Sequence, residues 1–183
     1  MEPKLGDIVF DISAYVGDTP LWFSKAVGPQ GKVYAFETEP SNFAKLKANL
    51  ERNKITNVIP LQLALSKTEG QMQVASAAGS SVITQAGTSV KVTTIDNFVE
   101  ANKLPRVDFI KMDVEGHELK VLKGADETIK TFKPSLALSA YHRGDDIIQL
   151  PKFLLELNPH YRFYLRHCTS IWGDTVLYAE PNM

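Results

Sequence analysis

The sequence predicts an α/β fold, a mostly parallel sheet with helices on both faces. Three observations carry this. Short apolar segments alternate with amphipathic ones through most of the chain, the order that builds parallel strands through helical crossovers. Several apolar segments run into a polar or acidic residue, which gathers chemistry on one edge, where such sheets hold ligands. The length, 183 residues, suits one domain, 1–183, with a real core.

The elements follow in order. IVFD opens as a strand reaching Asp11, and a loop with one glycine, Gly17, leads into a helix carrying Leu21, Trp22, Ala26 and Val27. GKVYAFE (31–37) is a strand after the Gly31 turn, ending in Glu37. EPSNFAKLKANLERN is a helix, with Pro40 in its first turn and Phe43, Leu46 and Leu50 at helical spacing. VIPLQLAL (58–65) reads as a strand with Pro60 near its start. Residues 66–94 alternate at both ends around GSSVITQAGTS, the pattern of a hairpin or long loop insertion, either a plain connection or a lid. IDNFVEANKL is a helix with Asp96 near its start, and VDFIKMD (107–113) a strand running into Asp113. EGHELKVLKGADETIKTF is a helix broken at Gly124. SLALSAY (135–141) is a strand followed by His142, and DDIIQLPKFLLELN a helix interrupted or restarted at Pro151. YRFYLRH and TVLYAE form a terminal hairpin around Trp172, Gly173 and Asp174.

Composition narrows the function. Apolar residues are 44% and charged residues 22%, with a formal net charge of -1, so no basic excess exists to meet a nucleic-acid backbone. One cysteine, Cys168, excludes an intrachain disulfide. No apolar run approaches the ~20 residues of a membrane span, and the first residues have no signal-peptide core. A cytoplasmic setting is expected. The first strand begins almost at once, so residues upstream of it are expected too.

Asp11, Glu37, Asp113 and the Tyr141–His142 pair all fall at strand ends on one edge. An acid after the second strand is placed to accept hydrogen bonds from ribose hydroxyls. A dinucleotide would also need a glycine-rich turn for its pyrophosphate. Here the turn is D-I-S-A-Y-V-G, with Ser13 and Tyr15 where bare backbone is wanted and an acid that repels phosphate. S-adenosylmethionine fits better, having a ribose, no phosphate, a sulfonium and an ammonium group; Asp11 can sit near those cations or order water around them. A nicotinamide-dependent oxidoreductase is disfavoured on the same ground.

The chain resembles the FkbM-type methyltransferases, a branch of the class I S-adenosylmethionine-dependent family. The resemblance rests on GDIVFDISAYVGDT, VYAFETEPSNFAKLKANLERN, LALSKTEG, TTIDNF and VDFIKMDVEGHELKVLKGA, and on the YH of SAYH, YRFYLRH and DTVLYAEP. It implies a Rossmann-like three-layer sandwich, a seven-stranded sheet with its last inserted strand antiparallel, and methyl transfer to an oxygen, often on sugars or natural-product hydroxyls. It sets the cofactor against Asp11, Ser13, Ala14, Gly17, Glu37, Thr38, Ala64, Leu65 and Asp113. The family usually has glycine where this chain has Ser13, and proline where it has Thr38.

Methyl transfer needs positioning and a base near the acceptor hydroxyl. His142, past a strand end on the cofactor edge, is the candidate base, and Asp113 and Glu115 complete the catalytic set. His117 is expected on a solvent-facing helix surface; His160 and His167 are less well placed. Asp113, Glu115 and Glu118 beside His117 raise a Mg²⁺ or Mn²⁺ site. Acids at a helix start, with Glu118 capping the turn, explain them without one, and no metal is expected. Trp22 and Trp172 read as packing residues, and Lys111, inside a buried strand, is expected to reach towards an edge. The leading function is O-methylation of a sugar, glycan or other small molecule. The alternative is a degenerate domain of the same fold that binds a ligand or partner without catalysis.

Overall fold

A computed structural model of the chain describes residues 1–77, 80–83, 87–167 and 174–182. The central sheet has seven strands in the order β10-β11-β9-β8-β1-β2-β3. These are β1 (Ile8–Ile12), β2 (Lys32–Phe36), β3 (Val58–Leu61), β8 (Phe109–Met112), β9 (Ser135–Ser139), β10 (Tyr161–His167) and β11 (Thr175–Pro181). β3, β2, β1, β8 and β9 are parallel, and β11 and β10 close the sheet antiparallel. The fold is the mostly parallel α/β sandwich that the alternation predicts.

The period-two alternation of the strands separates two cores. Phe10 and Ile12 of β1, with Tyr34, Phe36, Ile110 and Met112, face the helices α3 (Ile95–Ala101), α4 (Glu118–Leu122), α5 (Asp126–Phe132) and α6 (Asp146–Leu157). Val9, Val33, Ala35 and Phe109 face α1 (Asp18–Val27) and α2 (Pro40–Arg52) through Phe23, Val27, Leu46 and Leu50. On the first face Phe10, Tyr34, Phe36 and Phe98 meet edge to face, with centroids 5.1–5.6 Å apart, the arrangement that ring quadrupoles favour.

Residues 58–65 form two strands in different sheets. β3 is an edge strand, where Pro60 costs no ladder bond. β4 (Ala64–Leu65) leaves it to join β7 (Thr88–Thr93), β5 (Gly70–Ala77) and β6 (Ser80–Ile83) in a second sheet of order β4-β7-β5-β6. The insertion therefore supplies three strands of a four-stranded sheet, β4 the fourth, with a small core of Ala64, Val74, Val90 and Val92.

One helix reading changes, and one helix is capped from a distance. α6 runs unbroken through Pro151, because Leu150 and Leu154 on either side are fully buried and hold it to the core. Asp96 caps a different helix from its own: its carboxylate accepts from the Glu127 and Thr128 amides at the start of α5, while Thr94 caps α3. The break between α4 and α5 falls at Gly124 as expected, and contact explains it. A Cβ there would stand 2.1 Å from the Ser66 carbonyl oxygen. Among the described residues no helix is long and apolar enough to cross a membrane. Cys168, Trp172 and Gly173 lie outside the described residues.

Candidate active site

After β3 the chain returns to place β8 beside β1, so the order of strands reverses between them. Ligands of open α/β sheets bind at the carboxyl ends of strands near such a reversal. A cleft opens there, lined by Ile12, Ser13, Phe36, Thr38, Ala64 and Leu65 from the strand ends, by Met72 and Val74 of the small sheet, and by Val114, Glu115 and His117.

The loop after β1 is stitched to the end of β2. The Ser13 and Ala14 amides donate to the Phe36 carbonyl at 3.0 and 2.9 Å. The buried Glu37 carboxylate accepts from the Tyr15 amide on Oε2 and the Glu39 amide on Oε1, both at 2.8 Å. The loop turns through left-handed backbone at Ser13 (φ 67°), Tyr15 (φ 51°) and Gly17 (φ 100°), a region that costs non-glycine residues. At Gly17 a side chain would also press on Leu46 Cδ1, 2.8 Å away.

Of the residues named for the cofactor, Ser13, Thr38, Ala64 and Leu65 line the cleft. Ala14 and Gly17 shape the loop from within. Glu37 lies between the lining residues Phe36 and Thr38 with 2% exposure. Asp11 points to the opposite face of the sheet, fully buried, where Thr19 Oγ1 donates to it at 2.6 Å and Lys111 Nζ stands 3.2 Å away. Burial raises its pKa against the pull of Lys111 and the Thr19 hydrogen bond. Lys111 reaches towards the carboxyl edge of the sheet, where Ser13 follows β1. Its register opposite Asp11 lets it neutralise that acid and donate to the Ser13 carbonyl at 2.8 Å, an ion pair that the pattern of one strand alone does not reveal.

Beside the cleft, past β8 and β9, a polar cluster forms. Glu118 is fully buried on the first turn of α4. Its Oε1 accepts from the Val114 amide at 3.0 Å, the turn cap expected from sequence, and meets His142 Nδ1 at 2.9 Å. His142 Nε2 lies 3.5 Å from both Asp113 Oδ1 and Glu115 Oε2. The Tyr141 hydroxyl donates to Asp113 Oδ1 at 3.3 Å, and burial followed by the Asp113 charge pushes its pKa up. Burial works to lower the His142 pKa, but the hydrogen bond and charge of Glu118, then Asp113 and Glu115, outweigh it, and the net direction is up. The strand ends thus bring His142, Asp113 and Glu115 together. Sequence reasoning missed Glu118 as the partner of His142; its spacing from Asp113 signalled only the cap.

His117 is not solvent-facing. It is half-buried on the cleft wall, its Nε2 3.0 Å from Ser66 Oγ, and burial, then Lys120, lowers its pKa. Asp113, Glu118 and His142 offer ligand atoms within 4.8 Å of one another, so the histidine nearest a carboxylate pair is His142, not His117.

A family model described as the methyltransferase FkbM domain matches residues 11–171. The chain belongs to the FkbM methyltransferase domain family. It is 30% identical over 160 residues to the hexuronic acid methyltransferase AglP of Haloferax volcanii, covering 85% of this chain and 64% of that protein. The crystal structure of methyltransferase FkbM from Methylobacillus flagellatus KT superposes with a TM-score of 0.78 at 28% identity, over 94% of this chain and 43% of that one. Aeropyrum pernix fibrillarin, solved with natively bound S-adenosyl-L-methionine, shares the fold at a TM-score of 0.57 and 16% identity, over 96% of this chain and 67% of that one. This FkbM domain therefore spans under two thirds of the curated relative and under half of the FkbM crystal structure.

Proposed function

We propose that the chain is the catalytic domain of an S-adenosylmethionine-dependent O-methyltransferase acting on a hydroxyl of a sugar, glycan or other small molecule. The observation that carries this is the His142 ring. Its side chain is 9% exposed and its Nε2 has no hydrogen-bond partner among the described residues, yet it points between two partly exposed carboxylates at the strand ends. A hydroxyl presented there supplies the missing partner. The relationship to a hexuronic acid methyltransferase supports a sugar as acceptor. A cytoplasmic setting belongs to the proposal and is supported by the single cysteine.

The cleft fits the cofactor. Its walls are largely apolar, which suits an adenine, and among the described residues no lysine or arginine lines it to meet a pyrophosphate. Glu37 anchors the loop through both oxygens, and each carboxylate oxygen can accept more than one hydrogen bond, so ribose hydroxyls can be held on the same group. Ser13, Thr38, Ala64 and Leu65 would complete the contact. When bound, S-adenosylmethionine supplies a methyl already activated by its sulfonium.

The chain's own residues then hold the acceptor and remove its proton. His142 Nε2 accepts the hydroxyl proton, Asp113 and Glu115 stabilise the imidazolium that results, and Tyr141 keeps Asp113 in place. Titration calorimetry with S-adenosylhomocysteine, followed by transfer assays on a panel of free sugars and phenols, tests the reading. Saturable binding and methylation of a hydroxyl are expected. A folded protein that binds no S-adenosylhomocysteine overturns it and favours the degenerate domain.

A further inference from the structure

Glu118 lies outside the roles assigned so far, and burial makes it conspicuous. The side chain is fully buried, and its Oε2 has no hydrogen-bond partner among the described residues. Removing a carboxylate from water costs several kcal/mol, about the scale of a whole domain's margin. A helix start alone does not account for it, because an acid serves a helix N-terminus equally well at the surface, and α4 is only five residues long.

We propose that Glu118 is a positioning residue: it holds the His142 imidazole with its proton on Nδ1, leaving the Nε2 lone pair for the acceptor hydroxyl. The inference rests on the methyl-transfer reading. A carboxylate can only accept, so a ring nitrogen 2.9 Å from Oε1 carries hydrogen. The neutral ring then has its lone pair on Nε2, on the side of Asp113 and Glu115. The same Oε1 accepts from the amide of Val114, which lines the cofactor cleft. One buried oxygen therefore fixes both the base and the cleft wall, which sets the distance between proton acceptor and methyl donor.

The charged groups facing the ring come from every element around it: Asp113 beyond β8, Glu115 in the turn, Glu118 on α4 and Asp146 at the start of α6. Arg143, next in the chain, turns outward to Asp145. Among the described residues Glu118 alone touches Nδ1, so its removal acts on tautomer as well as on charge.

Long-range proton–nitrogen spectra of the ¹⁵N-labelled full chain read the imidazole directly, with His142 assigned by its substitution. The neutral wild-type ring is expected to carry its proton on Nδ1. Glu118→Gln keeps the size of the side chain and is expected to lower the proton affinity of His142 roughly tenfold or more, moving the acid limb of the rate profile down to match. Glu118→Ala is expected to mix the tautomers; should it fail to fold, Glu118→Gln decides. In Glu118→Gln the amide oxygen can still accept from Val114, so S-adenosylhomocysteine affinity of that variant is expected to stay within about threefold. A folded Glu118→Gln protein with the wild-type tautomer and titration overturns the proposal. Failure of the methyl-transfer reading shows separately, as absent binding by the wild type, because the ring spectra need no cofactor.

Discussion

Lys111→Met isolates the ion pair behind the loop that follows β1. Methionine is about as long as lysine and apolar, so packing in β8 survives while the cation 3.2 Å from Asp11 and the bond to the Ser13 carbonyl are lost. Asp11 has no exposure to recruit water. Leaving one partner of a buried pair alone costs about 3–5 kcal/mol. In a chain of this size each kcal/mol moves Tm by about 2–4 °C, so the expected drop is about 6–20 °C. The pH dependence has a definite sign. Burial already raises the Asp11 pKa in the folded protein despite Lys111 and Thr19. The folded state therefore binds the proton more tightly than the unfolded one, and stability falls as pH rises from the unfolded carboxyl value of about 4 towards the folded value. Without Lys111 that fall is deeper and extends to higher pH. Urea denaturation of the wild type, Lys111→Met and the double variant Asp11→Asn/Lys111→Met, from acid to neutral pH, measures it. The double variant is expected to recover most of the loss. A single-variant loss below about 1 kcal/mol, well under the range for a broken buried pair, or a loss independent of pH, refutes the reasoning.

Three further outcomes are expected. Glu37→Gln should weaken S-adenosylhomocysteine binding about tenfold to a hundredfold by calorimetry, and it should also lower Tm, because one of the two amides bonded to Glu37 then faces an NH₂ group. Ser13→Gly relieves a left-handed φ of 67°, a gain of about 1–2 kcal/mol offset by about 0.4–1 kcal/mol of chain entropy; urea denaturation should show a small net gain, and calorimetry tighter cofactor binding. His142→Ala should lower turnover by roughly 10²–10⁴ with little change in cofactor affinity, and the wild-type acid limb should lie above the ordinary histidine value because the surrounding carboxylates raise the His142 pKa. Activity that survives this change in full removes His142 as the base, and wild-type activity abolished by chelator and restored by Mn²⁺ assigns the cluster to a metal instead.

The parallel core was legible because its signals are local. Alternation sets strand faces, and Pro40, Gly31 and Gly124 punctuate the elements where the chain turns. The convergence of His142, Asp113 and Glu115 was legible too, since parallel strands deliver their ends to one edge. What stayed hidden depends on pairing between distant segments. Lys111 looked like a misplaced charge until register set it opposite Asp11. Asp96 lies near the start of its own helix, α3, and caps the next one but one, α5. Glu118 read as a cap for the turn at a helix start, and it is also buried against a ring 24 residues away. Residues 66–94 read as a hairpin or loop because their alternation is genuine, but only three-dimensional pairing shows β4 leaving the main sheet to join them.

Gly124 gives the cleft a dimension that no ligand contact reveals. Ser66, whose carbonyl oxygen fills the space of the absent side chain, directly follows Ala64 and Leu65 of the cleft wall and holds His117 through its hydroxyl. The joint between α4 and α5 therefore rests on the back of that wall, and the width of the cleft is set in part by one missing methyl group. A larger residue at this position would have to push the wall inward or tilt the two helices away. Selection on the shape of the cleft can thus act on a residue in the second layer of the fold, behind the lining. Homologues that carry a side chain there should differ in the spacing of β4 from the main sheet before they differ in any group that touches the cofactor.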